Sequence, residues 1–323
     1  MDIFDNRSAV VMLTGLEGPA FDDPDYIFEL KLDGDRCLAY LGENESVLVN
    51  KRNRYVIQHL PELAQINRQV KKRCILDGEL IIGSGCKHEF ERIRERLTST
   101  NRLRLEREAK INPATFLAFD ILYLGEAEVL DLPLLERKEL LRENIKEGPR
   151  LALSRFIPER GKDFFDLVVG RGLEGVMAKR ADSLYRMGKR SRDWMKCKNW
   201  DRDLFVICGY LPSDKANVVS LILAQYREES LAYVSHVVLG RRSADFRAVQ
   251  ALPEAGPAVD IPWKEAEKRE KIVWVRPQLV CEVEFMCRTD SGGLRQPIYQ
   301  ALRPDLEPAD AIWPETLSCS DRL

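Results

Sequence analysis

Apolar residues in the first part of the chain occur in two patterns, short runs and helical spacing. Short runs rich in β-branched, leucine and aromatic residues predict strands. They are Cys74–Ile82, Ala114–Leu124 and Gly175–Arg180. Helical spacing predicts helices, of which the last ends at a glycine: His59–Lys72, Leu134–Ile145 and Gly161–Gly172. Interleaved strands and helices up to about residue 200 predict a mixed α/β core.

The segment FELKLDGDRCLAY, which starts at Phe28, combines a strand pattern with a turn. Alternation of Phe28, Leu30 and Leu32 with polar residues predicts a strand half-buried on one face, with Lys31 pointing away from that face. Asp33 and Gly34 predict a turn before the apolar run resumes. The pattern alone is compatible with an ordinary hairpin that carries a solvated lysine.

Beyond residue 202 the pattern changes to short strands separated by polar or Gly/Pro-containing turns. The strand-like runs are LFVICGYL, VVSLILAQY, SLAYVSHVVLG and LVCEVEFMC, and one helix is predicted over Ser243–Leu252. Several short strands with one helix are typical of a small β-barrel of the oligonucleotide-binding type. We therefore expect two domains, 1–202 and 203–323.

Composition supports a soluble globular protein, because 45% of the residues are hydrophobic and 32% are charged. We find no apolar run near the ~20 residues that span a bilayer. The N-terminal sequence MDIFDNRSAVVMLTG is acidic and lacks the pattern of a secretory signal, so we expect a cytoplasmic protein without membrane contact. The eight cysteines form no CxxC pair and the three histidines no HExxH, which argues against zinc.

Charge is unevenly distributed although the net charge is only −2. Basic residues in Lys87–Lys110 alternate with glutamates at helical spacing, which favours a solvated, salt-bridged helix. The segment Lys179–Arg202 holds nine basic and three acidic residues with aromatic residues between them. That composition suits contact with phosphates.

Neither GxxxxGK[ST] nor GxGxxG occurs, but six short motifs follow one another in a defined order. They are KLDGDR, KRN, LDGEL, FDIL, EGVMAKR and WMKCK. This series resembles the covalent nucleotidyltransferases, specifically the ATP-dependent DNA ligases. SLYRMGKRSRDWMKCK and LVCEVEFMCRTDSGGLRQPIYQALRPD are most similar to the ligase module of bacterial end-joining enzymes, and the resemblance runs from about Tyr26 to Asp305.

The resemblance implies a fold: an α/β (α+β) adenylation domain of the nucleotidyltransferase, ATP-grasp-like type, followed by an OB-fold β-barrel. It also implies that Lys31 is the nucleophile that attacks the α-phosphate of ATP and forms lysyl–AMP. An amine at its ordinary pKa of ~10.4 is protonated at neutral pH. We expect partial burial and nearby positive charge, from Arg36, Lys196, Lys198 and a metal ion, to destabilise the ammonium form. Gly34 would allow close backbone approach beside Lys31.

Further site residues are implied by the matching motifs. Glu29 matches the residue against the adenine edge, and Phe119 matches the aromatic that stacks on adenine, with Asp120 near the metal region. Glu79 matches a carboxylate that reads the ribose or a metal-bound water, and Glu174 the carboxylate closest to the metal. Two acids without histidine suit Mg²⁺ or Mn²⁺. Phe119 as a core residue and the two glutamates as solvated turn residues remain alternatives.

The basic residues of the motifs match phosphate ligands. Lys196 and Lys198, two apart in a strand-like run, share one face and match the lysines that hold the α-phosphate. An amphipathic surface strand is the alternative. Arg52 matches a contact to ribose or to the phosphate of the nicked strand, although Arg54 stands where the family usually has glycine. In the C-terminal domain, Arg295 and Arg303 match pyrophosphate contacts, while Leu306 replaces the usual lysine.

We therefore expect a minimal two-domain ligase, monomeric, without a helical DNA-binding domain or a polymerase or nuclease module. Its substrates would be ATP and nicked or broken duplex DNA, and a DNA-end-binding protein is a plausible partner. Two other functions remain open at this point. One is an RNA ligase or an mRNA-capping guanylyltransferase, and the other is a nucleic-acid-binding scaffold with a dead catalytic domain.

Overall fold

The computed structural model describes residues 2–83, 90–213, 217–262, 270–289 and 291–314. Two compact units follow one another along the chain, the first ending at Asn199 and the second beginning at Trp200. Residues 200–202, placed in the first domain by the sequence pattern, lie in the second unit because a long strand begins at Asp201. Among the described helices, none combines the length and the apolar character needed to cross a membrane.

The first unit is built from two sheets and four α-helices in the described residues. Its strands in chain order are β1 (Leu13–Glu17), β2 (Asp23–Leu30), β3 (Asp35–Leu41), β4 (Ser46–Asn50), β5 (Cys74–Ile82), β6 (Ala114–Leu124), β7 (Ala127–Glu128), β8 (Leu151–Leu153), β9 (Phe156–Glu159), β10 (Gly175–Arg180) and β11 (Arg190–Lys198). Its helices are α1 (Phe90–Thr98), α2 (Arg102–Ile111), α3 (Leu134–Asn144) and α4 (Gly161–Gly170).

The strands from β1 to β11 divide between the two sheets. The first sheet has the order β1-β11-β10-β2-β9, and the second has the order β4-β3-β5-β6-β7 with β8 beside β6. Strands β2 and β3 flank Lys31 but pair with different neighbours, so the ordinary hairpin is ruled out. Instead the chain crosses from one sheet to the other at Lys31, which places this residue at the junction of the two sheets.

Packing explains this layered arrangement. Helix α4 covers the outer face of the first sheet through Val168 against Phe28. Trp194 of the first sheet packs into a cluster with Tyr40 and Ile75 of the second. Helices α1 and α3 cover the far face of the second sheet. Both faces of each sheet are therefore covered, which explains why strands β5, β6 and β10 are nearly continuous apolar runs. The structure confirms both ends of these three predicted strands.

The helix predictions are confirmed for α3 and α4 but wrong for His59–Lys72. That segment forms three short 3-10 turns: Ile57–His59, Pro61–Leu63 and Ile66–Gln69. Pro61 lacks an N–H and disfavours helical backbone at the preceding residue, where Leu60 has φ −132° and ψ 62°. Leu60, Leu63 and Ile66 are nevertheless buried, and a spacing of three fits 3-10 turns as well as α-helix.

The salt-bridged helix predicted over Lys87–Lys110 is two helices, α1 and α2; residues 87–89 lie outside the described part. Asn101 separates them, and its side chain caps α2 by accepting a hydrogen bond from the backbone N–H of Arg104. The expected ion pairs are present, since Arg102 contacts Glu106 at 2.9 Å and Arg104 contacts Glu95 at 3.0 Å.

The second unit is dominated by strands. They are β12 (Asp201–Pro212), β13 (Val218–Arg227), β14 (Ser230–Gly240), β15 (Val273–Trp274), β16 (Val280–Phe285), β17 (Cys287–Arg288), β18 (Leu294–Arg295) and β19 (Ile298–Leu302). The main sheet has the order β14-β13-β12-β16-β19, and the predicted helix is α5 (Ala244–Gln250), capped by Ser243. Apolar clusters lie on both faces of β12 and β13, which gives this unit its own core.

Candidate active site

A cleft of about 220 Å³ opens in the first unit where the two sheets meet. It is lined by residues from β2, β3, β5, β6, β10 and β11 and from the crossover after β2. Six of the residues singled out in the sequence lie on its wall: Glu29, Lys31, Arg36, Glu79, Phe119 and Lys196. The same wall includes Lys51, Ser154, Lys179, Arg190 and Trp194, which sequence reasoning did not assign to the site.

Lys31 is anchored by the strand next to it. Its backbone N–H donates to the carbonyl of Gly175 at 2.8 Å, and its Nζ donates to Oε1 of Glu174 at 2.5 Å. Gly175 permits this close packing, because a Cβ there would lie 2.2 Å from the carbonyl oxygen of Cys197 and its φ is +142°. The immediate ionic partner of Lys31 is thus a carboxylate, whereas the sequence led us to expect cations.

The cations gather around Lys196 instead. Burial lowers the pKa of Lys196, and the nearby charges of Lys31, Lys198 and Lys51 lower it further. Lys198 lies two residues along the same strand, but its Nζ contacts Oε2 of Glu17 at 3.0 Å and it does not line the cleft. The cleft therefore concentrates positive charge on one wall, which suits an anionic ligand.

Glu79 stands on the cleft wall near Lys31. Burial raises the pKa of Glu79 to about 8, and the nearby charge of Glu174 adds to this, while Lys31 and Arg36 oppose it. The described residues hold no cluster of three or more His, Cys, Asp or Glu that could bind a metal ion. Two carboxylates near one lysine do fit Mg²⁺ or Mn²⁺, because such an ion commonly takes one or two carboxylates and completes its shell with water and substrate phosphates.

Glu29 is held by two lysines. Its Oε1 lies 2.5 Å from Nζ of Lys138, and its Oε2 lies 3.1 Å from Nζ of Lys179 and accepts from the hydroxyl of Ser154. These cations outweigh burial and hold the pKa of Glu29 below its ordinary value. Burial lowers the pKa of Lys179 to about 8 against the opposing charge of Glu29. Lys179 was visible in EGVMAKR, but Lys138 on α3 carried no local signal.

Aromatic rings close one side of the cleft. Phe119 is half-buried and meets Trp194 edge-to-face with ring centroids 6.2 Å apart. Nζ of Lys179 lies 4.2 Å from the Phe119 centroid and 4.3 Å from that of Trp194. Since Trp194 is only 1% exposed, Phe119 is the ring of this pair that could offer a face to a planar heterocycle.

Two further residues have structural partners. Asp120 is fully buried, and its carboxylate binds Arg137 through two hydrogen bonds of 2.8 Å, so its place near a metal stays a prediction. Arg36 lines the cleft, but its guanidinium binds Asp77 at 3.0 and 2.6 Å. Gly34 approaches strand β5 closely, since a Cβ there would lie 2.3 Å from the carbonyl oxygen of Leu80.

Arg52 lies outside this cleft, in a turn that follows β4. The side chain of Asn50 accepts from the backbone N–H groups of Arg52 and Arg54, and Asn53 adopts the left-handed conformation with φ +58°. The positive φ therefore falls on Asn53, and Arg54 does not need to be glycine. This resolves the departure from the family pattern in favour of a well-formed turn.

Arg295 and Arg303 belong to the second unit. Arg295 lies on β18, and its carbonyl accepts from the backbone N–H of Met286. Arg303 makes two hydrogen bonds to Asp305, at 2.9 and 2.7 Å, and a longer one to Glu282 at 3.5 Å. Its charge is thus already balanced within its own unit.

Comparison with known families matches both units. Residues 19–198 match the family described as ATP dependent DNA ligase domain, and residues 214–306 match the ATP dependent DNA ligase C terminal region. These matches confirm the fold class, an adenylation domain followed by an OB-fold domain.

The similar proteins differ in how much of their own length the match to this chain covers. The SPbeta prophage-derived DNA ligase-like protein LigB of Bacillus subtilis is 26% identical over 91% of this chain and 98% of its own. The multifunctional non-homologous end joining protein LigD of Pseudomonas aeruginosa is 29% identical over 87% of this chain, which spans only 34% of that protein. A solved mycobacterial DNA ligase D complexed with ATP and MES is 25% identical, with a TM-score of 0.52, and covers 97% of this chain and 100% of its own.

Proposed function

This chain belongs to the ATP-dependent DNA ligase family, and on that basis we propose that Lys31 carries AMP as the covalent intermediate of its reaction. One observation supports the proposal above all. Lys31, two acids, a cationic wall and an aromatic wall share one cleft, although Lys31 and its partner Glu174 are 143 positions apart in sequence.

In the first step Nζ of Lys31 attacks the α-phosphate of ATP. A P–N bond forms, the bond to the leaving pyrophosphate breaks, and the amine gives up a proton. Nζ already donates to Glu174, so this carboxylate is placed to hold the lysine and to accept the proton. Lys196 also lines the cleft and would supply positive charge to the phosphate as it accumulates negative charge.

The cleft walls support places for the other parts of the nucleotide. Phe119 would offer the face on which adenine stacks, and Glu29, oriented by its two lysines, would lie against the edge of the base. Glu79 and Glu174 would hold Mg²⁺ or Mn²⁺, whose charge would offset that of the phosphates when the ion is bound. Arg36 supports the wall through its pair with Asp77.

The later steps act on DNA. AMP passes from Lys31 to the 5′-phosphate at a break, and the 3′-hydroxyl then attacks that phosphate and releases AMP. Arg52 would contact the broken strand. Lys198, Arg295 and Arg303 keep their proposed phosphate roles, but Lys198 would have to leave Glu17 and Arg303 would have to leave Asp305.

The relatives suggest a setting for this reaction. Several of them are named non-homologous end joining proteins, which supports broken duplex DNA as a substrate and a DNA-end-binding protein as a partner. The chain spans about a third of those proteins, whereas it spans nearly all of the prophage-derived relative. We propose that it acts as a monomer on ends or nicks presented to it.

Covalent labelling tests the proposal directly. The purified protein is incubated with a divalent metal and ATP radiolabelled at the α-phosphate, and label retained under denaturing conditions is measured. We expect the wild type and Lys162→Ala, an exposed lysine of the same unit, to be labelled, and Lys31→Ala to be unlabelled. Label that survives in Lys31→Ala would rule out this nucleophile, and label from GTP instead of ATP would favour a capping enzyme.

A further inference from the structure

A second, larger cleft lies beside the first in the same unit. Its volume is about 600 Å³, and its wall includes Arg52, Arg54, Tyr55, Gln58, Arg94 and Thr98. The turn after β4 forms one side and helix α1 the other. None of the resemblances drawn from the sequence assigns a role to Arg54, Tyr55 or Arg94.

The two clefts share adjacent residues of the same segments. Arg36 lines the first cleft and Asp35 the second, and likewise Lys51 lines the first and Arg52 the second. Asp35 and Arg36 are consecutive in strand β3, so their side chains point to opposite sides, and Lys51 and Arg52 are consecutive in the turn after β4. The two clefts are therefore neighbours on either side of these two segments.

The second cleft carries more positive than negative charge, because three arginines line it against a single acid, Asp35, whose carboxyl interacts electrostatically with Arg52. Arg52, Arg54 and Arg94 are exposed, and no carboxylate of the described residues lies within ion-pair distance of their side chains. Three other arginines of α1 and α2 are paired with glutamates: Arg96 with Glu62, Arg102 with Glu106 and Arg104 with Glu95. The one acid on the wall, Asp35, has a pKa raised by burial and accepts a hydrogen bond from the side chain of Asn50.

An exposed aromatic ring stands among these arginines. The side chain of Tyr55 is 51% exposed, although its backbone is fixed by a bridge to Val49. Among the described rings none stacks on it. Arginines along a groove with an exposed aromatic ring are the combination by which proteins bind single-stranded nucleic acid, since phosphates contact the guanidinium groups and bases stack on the ring.

We propose that this second cleft holds an unpaired stretch of the DNA strand at the break, with phosphates on Arg54 and Arg94 and a base on Tyr55. The inference rests on the proposed function and adds to it a preference for ends that carry single-stranded nucleotides. A base inside a duplex is already stacked on its neighbours and cannot present its face to Tyr55, which is why the occupant is unpaired.

Equilibrium binding measures the arginine contribution. Fluorescence anisotropy compares a duplex that ends in a single-stranded overhang with a fully paired nicked duplex. We expect Arg54→Ala combined with Arg94→Ala to bind the overhang DNA about tenfold or more weakly, and the dependence of log affinity on log salt to become shallower by about 1 to 1.5. The matched control is Arg107→Ala with Arg171→Ala, two exposed arginines of the same unit outside the cleft, which should stay within about twofold.

The aromatic contribution has its own pair of variants. Tyr55→Ala should bind the overhang DNA at least about fivefold more weakly, whereas Tyr55→Phe, which keeps the ring, should bind like the wild type. Neither change should alter binding to the nicked duplex. Equal losses on both DNAs would mean that the cleft contacts duplex backbone, and unchanged affinity for the overhang in both sets of variants would overturn the inference altogether.

Self-adenylation without DNA separates this inference from the function on which it rests. The three cleft variants, Arg54→Ala combined with Arg94→Ala, Tyr55→Ala and Tyr55→Phe, should label with AMP as the wild type does, because the second cleft takes no part in that step. Absence of labelling in the wild type would refute the proposed function, but the binding result could still be interpreted. Normal labelling together with unchanged DNA affinity of the variants would refute only the proposed role of the second cleft.

Discussion

Asp120 and Glu79 show how differently the same kind of side chain can be used within one unit. Asp120 of β6 pairs with Arg137 of α3, and both side chains are fully buried. Glu79 lines the cleft, and burial raises its pKa to about 8. A buried pair contributes to folding, whereas an acid whose charge is disfavoured until a cation arrives is suited to ligand binding.

Asp120→Asn should destabilise the fold rather than the chemistry. Removing one charge of a buried pair leaves the Arg137 guanidinium uncompensated, which costs about 3 to 5 kcal/mol in the free energy of unfolding. Chemical denaturation measures this loss. Glu139→Gln, which breaks the exposed pair with Arg142, is the control and should leave the free energy of unfolding nearly unchanged. A stable Asp120→Asn protein that fails to take up AMP would support the metal-binding role.

Glu79→Gln should change how stability depends on pH. The folded protein keeps the Glu79 proton up to about pH 8, whereas the unfolded chain releases it near the ordinary value of 4.5. Wild-type stability therefore falls as pH rises through this window, and the variant lacks this contribution. As the pH rises from 5 to 8, without nucleotide or metal, we expect the free energy of unfolding of the variant to increase relative to that of the wild type by on the order of 2 kcal/mol.

The control for this change removes a carboxylate from the surface. Glu128 is exposed, and the difference in the free energy of unfolding between Glu128→Gln and the wild type should stay constant across the same pH range. If the difference in the free energy of unfolding between Glu79→Gln and the wild type is also constant, Glu79 is ionised over this whole pH range in the folded protein.

At the scale of elements, the turn after β4 decides where several cleft residues point. Asn50 ties the turn with its side-chain oxygen, and Asn53 takes the left-handed conformation that bulky residues avoid. The neighbouring Lys51 and Arg52 are thereby directed into different clefts. A short polar turn thus positions residues for both sites.

Substitution of Asn53 tests this turn. Asn53→Gly should leave the free energy of unfolding within about 0.5 kcal/mol, because glycine adopts positive φ freely. Asn53→Val should lower it by about 1 to 2 kcal/mol, because a β-branched residue is strained there. Denaturant titration of the two variants side by side measures the difference. Equal stability of both would mean that the turn does not hold Asn53 at φ +58°.

At the scale of the whole molecule, each unit has its own apolar core. The clusters around Leu76, Trp194 and Phe28 draw only on the first unit, and those around Phe205 and Cys208 only on the second. Since hydrophobic burial is the main stabilising term in folding, a unit with a closed set of clusters should fold by itself.

A fragment of residues 1–199 should therefore unfold cooperatively, with the far-UV circular dichroism of a folded α/β protein. A shorter fragment, 1–160, loses α4, β10 and β11, and with them Trp194, and should lack a cooperative transition. Thermal melts of the two fragments and the full chain make the comparison. Failure of the longer fragment to fold would show that the second unit supplies stability that the first unit needs.

Local patterns determined much of this protein. Short apolar runs located β5, β6 and β10, and helical spacing located α3 and α4, because burial of a strand or of a helix face determines which nearby residues are apolar. The ordered motifs pointed to the ligase family, which the comparisons bear out. Where spacing fitted two structures equally, as in His59–Lys72, the sequence pattern predicted the wrong one.

Tertiary structure alone decided which charges meet. Lys31 with Glu174, Glu29 with Lys138, and Arg36 with Asp77 each join residues far apart in sequence, so no local signal could pair them. The same holds for the second cleft, where α1 meets the turn after β4. Electrostatic partners depend on distances in space, and those exist only once the two sheets have packed together.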